Sequence, residues 1–206
     1  MEIGSQTAVA HVKNTGRCKE LLVPGAKVIL QKFSGDKRKT LYDLIAVWKG
    51  DRLINMDSQA PNTAFLEHLR SGRHIDGITL IKSEARYGGS RFDFYIEAGE
   101  RKIFIEVKGV TLEENGAAMF PDAPTERGVK HLNELAQCVR DGYEAQVVFV
   151  IQMKGVRYFT PNNKTHPEFG AALAAAGRSG MKVVALDCKV GLDSITIGDP
   201  VSVQGM

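Results

Sequence analysis

Asp93, Glu106 and Lys108 lie in two adjacent apolar runs, SRFDFYIEAG and RKIFIEVKGV, in the order acid, twelve intervening residues, glutamate, any residue, lysine. Two carboxylates can hold a Mg²⁺ (or Mn²⁺) that keeps several of its waters. Such a cation lowers the pKa of a bound water and polarises a phosphoryl oxygen, and a lysine beside it can orient the water or stabilise developing charge. The chemistry this points to is phosphodiester hydrolysis, with Asp93 and Glu106 as ligands and Lys108 as the electrostatic or proton-handling group. The backbone carbonyl of Val107 and the side chain of Glu67 are further candidate ligands.

The elements must bring these groups together. Glu106 and Lys108 are two apart in a run that reads as a strand, so both leave one face. Glycines 88, 89 and 99 bound the Asp93 run, and Gly99-Glu100-Arg101 reads as a hairpin turn that sets Asp93 beside Glu106. Ile103, Ile105 and Val107 give one face of the second run to a core, while Phe104 and Val110 add apolar weight to the other. A Glu-x-Lys pair in a strand is ordinarily a surface ion pair. Set among these residues it is partly desolvated, which is costly unless it is paired or metal-bound.

The chain has 206 residues, 43% of them hydrophobic and 25% charged, as in a globular protein. It has no apolar run long enough for a membrane span and no basic-then-apolar leader pattern. Cys18, Cys138 and Cys188 are far apart and odd in number, which suits reduced thiols in a cytoplasmic protein better than a disulfide framework. The net charge of +3 is modest, but residues 1–57 carry ten Lys/Arg against six Asp/Glu. That upstream excess suits phosphate contacts as well as it suits a solvated basic face. Lys13, Asn14, Arg17, Lys37, Arg38 and Lys39 are its candidate nucleic-acid contacts.

The texture changes near residue 57. Upstream, TAVAHV, AKVILQKF, LYDLIAVW and RLINM read as closely spaced strands between turn signals, a small β-barrel or sandwich. Trp48 and Tyr42 suit its core better than a stacking platform. Downstream, Asn62-Thr63 can cap a helix through Arg70 that buries Phe65, Leu66 and Leu69. A helix follows Pro121, Pro124 and Thr125 and ends at Gly142, with an apolar stripe of Leu132, Leu135, Ala136 and Val139. QVVFVIQ reads as a strand covered on both faces. Another helix runs from Pro167 to about residue 178, then come KVVALDCKV and SITIG. Strands alternating with helices predict an α/β layer with a mixed sheet.

Further candidates surround the central three residues. Glu84 is a weaker alternative acid. Glu126 and Lys130 suit an i,i+4 pair. Arg127 and His131 are also four apart, on a helix that follows the Glu106 strand, and with Thr125 they can line a phosphate path. Arg91, beside Asp93, can meet phosphate or pair with a carboxylate.

The motifs RYGGSRFDF, IEVKGVTL and FPDAPTERGVKHLNEL, with HVKNTGRCKELLVPGAKV upstream, closely resemble the SfsA, or sugar fermentation stimulation, proteins over nearly the whole chain. The resemblance implies an N-terminal OB-like barrel over residues 1–57. It implies a restriction-endonuclease-like, PD-(D/E)XK-type mixed sheet flanked by helices over 58–206, and DNA binding with a regulatory role. The family's acid and Glu-x-Lys pattern falls on Asp93, Glu106 and Lys108. That family usually carries an additional strand, rich in arginine and phenylalanine, ahead of HVKNTG; its lack here implies a barrel one strand short or differently closed. Arg86 stands where the family often has lysine.

Three functions follow as expectations: a Mg²⁺-dependent nuclease, a DNA-binding regulator that keeps the site without cutting, and a metal-dependent phosphoesterase on small nucleotides. The upstream basic charge favours a polymer, DNA, over a small substrate. Neither a helix-turn-helix nor a zinc finger is visible. The sequence leaves the oligomeric state open, a homodimer included.

Overall fold

The structure, a computed structural model, describes residues 1–34 and 38–206. Lys37 therefore lies outside the described residues. The chain opens with a two-stranded ribbon, β1 (Glu2–Ile3) and β2 (Gln6–Thr7). Next come β3 (Ala10–Val12), β4 (Val28–Lys32), β5 (Tyr42–Lys49) and β6 (Arg52–Asn55). Strand β5 organises this region because both of its edges are filled. β4 runs antiparallel along one edge, while β3 (parallel) and β6 (antiparallel) lie end to end along the other. AKVILQKF, LYDLIAVW and RLINM hold strands as expected and TAVAHV is split between β2 and β3, yet among the described residues no ladder closes the sheet into a barrel.

Helix α1 (Ala60–Arg70) follows, then three long strands, β7 (Ile78–Tyr87), β8 (Ser90–Ala98) and β9 (Arg101–Val110). Two short strands, β10 (Leu112–Glu114) and β11 (Ala117–Phe120), lead into α2 (Glu126–Arg140). The chain continues through β12 (Glu144–Ile151), β13 (Tyr158–Pro161), α3 (Pro167–Arg178), β14 (Lys182–Val190) and β15 (Ile195–Pro200). Six of these strands form one mixed sheet in the order β15-β14-β12-β9-β8-β7. Its centre is parallel, β9 to β12 to β14, and its flanks are antiparallel. Strands β10, β11 and β13 form a small second sheet. The fold is thus α+β, with helices on both faces of the large sheet.

Each face has its own core. Phe65 and Leu69 of α1 pack against Ile105, Val107, Val148 and Leu186 on one side. Leu132 and Leu135 of α2, with Phe169 and Leu173 of α3, cover Phe104, Val147 and Phe149 on the other. This second core also takes in Leu44, Val47, Ile54 and Met56, so apolar packing runs from the N-terminal strands into the large sheet without a gap at residue 57. Strand β12 is buried on both faces, which is why its sequence is continuously apolar. All three cysteines are buried and unbonded. Among the described residues no helix is long and apolar enough to cross a membrane.

Two local expectations fail. Helix α1 begins at Ala60 with Gln59 in the capping position and no side-chain cap, so Asn62 and Thr63 sit inside its first turn. Strand β7 was not expected at all. It is an edge strand with mostly exposed side chains, and it lacks the apolar alternation that announces a strand.

Candidate metal centre and nucleic-acid interface

The site begins where a ladder ends. β8 and β9 pair from Ala98↔Arg101 to Phe94↔Ile105 and then part. Phe94 belongs to the α1 core and Phe92 to the α2 core. Residues two apart on a regular strand share a face, so β8 swivels at Asp93. Glu84, the residue of β7 between the pairs Ser83↔Phe94 and Ala85↔Phe92, swivels with it at φ +55. Beyond the split, the Val107 N–H has no strand carbonyl on the β8 side. Asp93 Oδ2 accepts it at 2.7 Å, and Oδ1 accepts Asn62 Nδ2 from α1 at 2.7 Å. The swivel therefore places a carboxylate in the gap and holds both of its oxygens.

Glu106 is 4% exposed. Its Oε1 accepts Lys108 Nζ at 2.6 Å and His131 Nδ1 at 2.5 Å. Arg127 Nε donates to His131 Nε2 at 3.4 Å, which assigns the imidazole proton to Nδ1 and makes that nitrogen the donor to Glu106. The second oxygen, Oε2, is buried without a hydrogen-bond partner. Burial alone pushes the Glu106 carboxyl up, but the His131 and Lys108 hydrogen bonds and the lysine charge outweigh it and hold the group below its ordinary value. Asp93 goes the other way: burial and then the Glu106 charge raise it to about 6, against the opposing hydrogen bonds of Val107 and Asn62.

These observations decide whether a divalent cation fits. A buried, unpartnered carboxylate oxygen is costly, and a carboxyl raised first by burial and then by its neighbour's charge adds negative potential with no counter-ion paired to it among the described residues. Both defects would be removed by a cation between Asp93 and Glu106. The Lys108 ammonium lies on Oε1 and leaves Oε2 without a contact. Among the described residues no group of three or more His, Cys, Asp or Glu side chains is arranged to hold a metal. A two-carboxylate centre suits an ion that retains water, as Mg²⁺ does. Glu67 is not part of it. That residue is exposed and lines a separate depression with Asp57 and Asp193, because α1 turns Asn62 toward Asp93 instead.

A cleft of about 450 Å³ opens beside Val107 and Lys108. Asn14, Thr15, Gly16, Asp122, Thr125 and Gln152 line it, and Asp122 Oδ2 accepts the Cys18 N–H at 2.8 Å, which ties the FPDAPT segment to the N-terminal loop. Gly109 is required at the base: a Cβ there would come within 2.6 Å of Gln152 Oε1 and 2.8 Å of Pro61 Cγ. Thr125 caps α2, its Oγ1 accepting Gly128 N at 3.0 Å, so the first turn of that helix starts at the cleft wall.

The basic candidates divide into engaged and open. Lys13 pairs with Asp57, and Arg38 pairs with Asp43 while stacking over Phe33. Asn14 is held by Met56 O and Gly16 N. Arg17 and Lys39 are exposed. Arg91 meets Glu84 at 2.6 Å, and both side chains remain more than half exposed. Lys130 donates to Gly89 O at 3.0 Å and approaches Glu134, so the expected pairing with Glu126 is replaced. Asn62 is the residue that sequence reasoning misassigned. It read as a cap, and only the docking of α1 on β8 reveals its amide as the partner of Asp93.

Two family descriptions match the chain. "Sugar fermentation stimulation protein RE domain" matches residues 59–194 and "SfsA N-terminal OB domain" matches residues 1–56. A "Sugar fermentation stimulation protein homolog" from Desulfitobacterium hafniense (strain Y51) is 61% identical over 204 residues, covering 99% of this chain and 89% of the relative. A homolog of the same description from Clostridium beijerinckii is 58% identical over 203 residues, covering 98% and 90%. A solved structure of Pyrococcus furiosus SfsA in complex with Ca²⁺ is similar at a TM-score of 0.87 and 30% identity, covering 98% of this chain and 88% of that one.

Proposed function

Since the chain belongs to the SfsA, or sugar fermentation stimulation protein, family, we propose that it is a DNA-binding protein whose Asp93–Glu106 centre takes a divalent cation and hydrolyses phosphodiesters. The observation that carries this reading is Glu106 Oε2, a buried carboxylate oxygen with no partner beside a second carboxyl raised to about 6. The Ca²⁺ named with the Pyrococcus furiosus relative supports divalent-ion binding by this chain. Mg²⁺ or Mn²⁺ is the proposed working ion, because Ca²⁺ shares their oxygen preference but is larger and less demanding in geometry.

Asp93 Oδ2 and Glu106 Oε2 would hold the ion, with the Val107 carbonyl as the candidate main-chain ligand. When bound it would neutralise charge on a phosphoryl oxygen and lower the pKa of a water. The residues of the chain do the rest. The Val107 amide and Asn62 fix the Asp93 carboxylate, and His131 Nδ1–H fixes Glu106. Lys108 lines the cleft with its Nζ on Glu106 Oε1, and an ammonium there can stabilise charge on an attacked phosphate. The cleft between the Asn14–Gly16 loop and the start of α2 offers a path for a strand past that ammonium.

Binding without cutting is the second reading. It is favoured by the absence of a third ligating side chain among the described residues. Titration of Mn²⁺ by calorimetry, with duplex-DNA anisotropy and cleavage assays on linear, branched, single-stranded and RNA substrates, separates the readings. The expected result is a single Mn²⁺ site lost in Glu106→Gln and cleavage lost in Lys108→Ala. DNA binding with no metal-dependent product on any substrate makes the protein a binder alone. No DNA binding at low salt removes the nucleic-acid function, and a small-molecule phosphodiester screen then tests the phosphoesterase.

A further inference from the structure

We infer that the tip of the β7–β8 hairpin and the first turn of α2 form a separate phosphate subsite, gripping a nucleic-acid phosphate other than the one attacked. This rests on the nucleic-acid reading above and assigns it a second anchor. Arg86, Arg91 and Arg127 open into one depression of about 410 Å³ whose remaining wall is Gly88, Gly89 and Ser90. Arg86 and Arg91 are direct cross-strand partners. Like charges placed directly opposite on a ladder destabilise it, so the arrangement costs stability until an anion lies between them. Among the described residues Glu84 meets Arg91, but no carboxylate meets Arg86 or Arg127. Including Lys130 and Glu134, four cations face two carboxylates at this tip.

The rest of the depression suits an oxyanion. Ser90 lines the depression with the three arginines, and its hydroxyl is buried without a hydrogen-bond partner. The turn between Tyr87 and Ser90 is the two residues Gly88 and Gly89, the first at φ +53, so no side chain blocks the approach. Lys130 Nζ ties Gly89 O to α2 at 3.0 Å and holds the tip against the helix. Guanidinium groups presenting forked donors match phosphate geometry. Arg127 also joins the subsite to the metal centre, since its Nε reaches His131 Nε2 and His131 Nδ1 reaches Glu106. A strand whose phosphate occupies the three arginines is thereby set one imidazole away from the two carboxylates.

The test is anisotropy of labelled duplex DNA with the full-length protein in Ca²⁺, over a series of salt concentrations. Arg86→Gln is expected to weaken binding about five- to twentyfold and to make the slope of log K against log salt shallower by about one. Arg86→Glu should weaken it further. Both variants should melt no lower than wild type, because each removes the cross-strand repulsion. Lys102→Gln, an exposed charge at the far end of β9, is the control and should change neither quantity. Duplexes with 5′-phosphate and 5′-hydroxyl ends separate the sources: equal sensitivity to Arg86→Gln assigns an internal phosphate, sensitivity of the phosphorylated duplex alone a terminal one. If Arg86→Gln binds like Lys102→Gln while wild type binds well, the subsite is wrong and the DNA-binding reading survives. If wild type does not bind, both fall together.

Discussion

Two buried glutamates lie seven residues apart in sequence and live by opposite rules. Glu113, on β10, is 6% exposed and fully satisfied. Lys49 and Arg52 approach its Oε2 at 2.8 and 2.9 Å, and the Gly116 amide donates to Oε1. Burial raises it, but those contacts pull the carboxyl down to about 2. Glu106, equally buried, keeps one oxygen without a partner and a raised carboxyl beside it. The first is a structural node that ties β5 and β6 of the N-terminal sheet to the second region. The second is an incomplete coordination shell. Burial of an acid therefore says little about function; the unmet oxygen is what separates them.

The sharpest way to break this contrast is to neutralise each in turn. Glu106→Gln is expected to abolish Mn²⁺ binding and to lower any metal-dependent cleavage by about a thousandfold, while the metal-free protein loses less stability than in Glu113→Gln, because relief of the unpartnered oxygen and of the neighbouring Asp93 offsets the weakened Lys108 and His131 contacts. Glu113→Gln should do the reverse. Cleavage and Mn²⁺ affinity stay near wild type, and stability drops by about 2–3 kcal/mol because two cations are stranded, less than for a fully buried pair since both are partly solvated. For a chain of this length that is roughly a 5–10 °C fall in Tm. Equal loss of stability in both variants, by scanning calorimetry, would erase the distinction.

The acidic centre was more legible in the sequence than the acids' roles. Strand alternation put Glu106 and Lys108 on one face and a glycine turn set Asp93 on the neighbouring strand, but the swivel of β8 that aims Asp93 into the gap left no mark in the sequence. The runs that became β5, β9, β12 and β14 announced themselves by their apolar patterning. Glu67 and Asn62 could not be sorted, because which face of α1 meets β8 depends on how the helix docks. Lys49 and Arg52 gave no hint that they serve Glu113, since that pairing joins residues sixty apart. The exposed edge strand β7 had no periodicity to read. The basic count upstream was plain, but the carboxylates that meet Lys13 and Arg38 were not.

Asp93 gives a pH signature that Glu113 does not share. Its folded pKa is raised from 3.8 to about 6. The native protein therefore binds a proton there that the unfolded chain has lost. This contribution to stability is fully present below the unfolded value and disappears as pH rises through about 6. The stability difference between wild type and Asp93→Asn in the absence of metal should change by about 2 kcal/mol, against wild type, from pH 4 to pH 7. Mn²⁺ affinity should run the opposite way, falling about tenfold per unit below the folded pKa, because the ligand must be deprotonated. Glu113, depressed from 4.5 to about 2, gives a smaller slope of the opposite sign at the acid end of that window: its stabilisation grows as the unfolded carboxyl loses its proton through 4.5 and is level above about pH 6. Denaturant melts across the range give the first quantity and calorimetry the second.

The smallest effect tests the same idea on cations. Lys13 was a natural phosphate contact by sequence, yet its ammonium is engaged by Asp57. A cation already paired releases few counterions when DNA arrives, because part of its charge is cancelled before binding. Lys13→Gln should therefore change duplex affinity by no more than about twofold and leave the salt slope nearly unaltered, in contrast to the unit change expected of an open arginine. Asp57→Asn should strengthen binding slightly, by freeing that ammonium. If Lys13→Gln costs as much as the loss of an unpaired arginine, engagement in the free protein does not predict engagement on DNA. The N-terminal sheet would then have to exchange its internal ion pairs for phosphates as it binds.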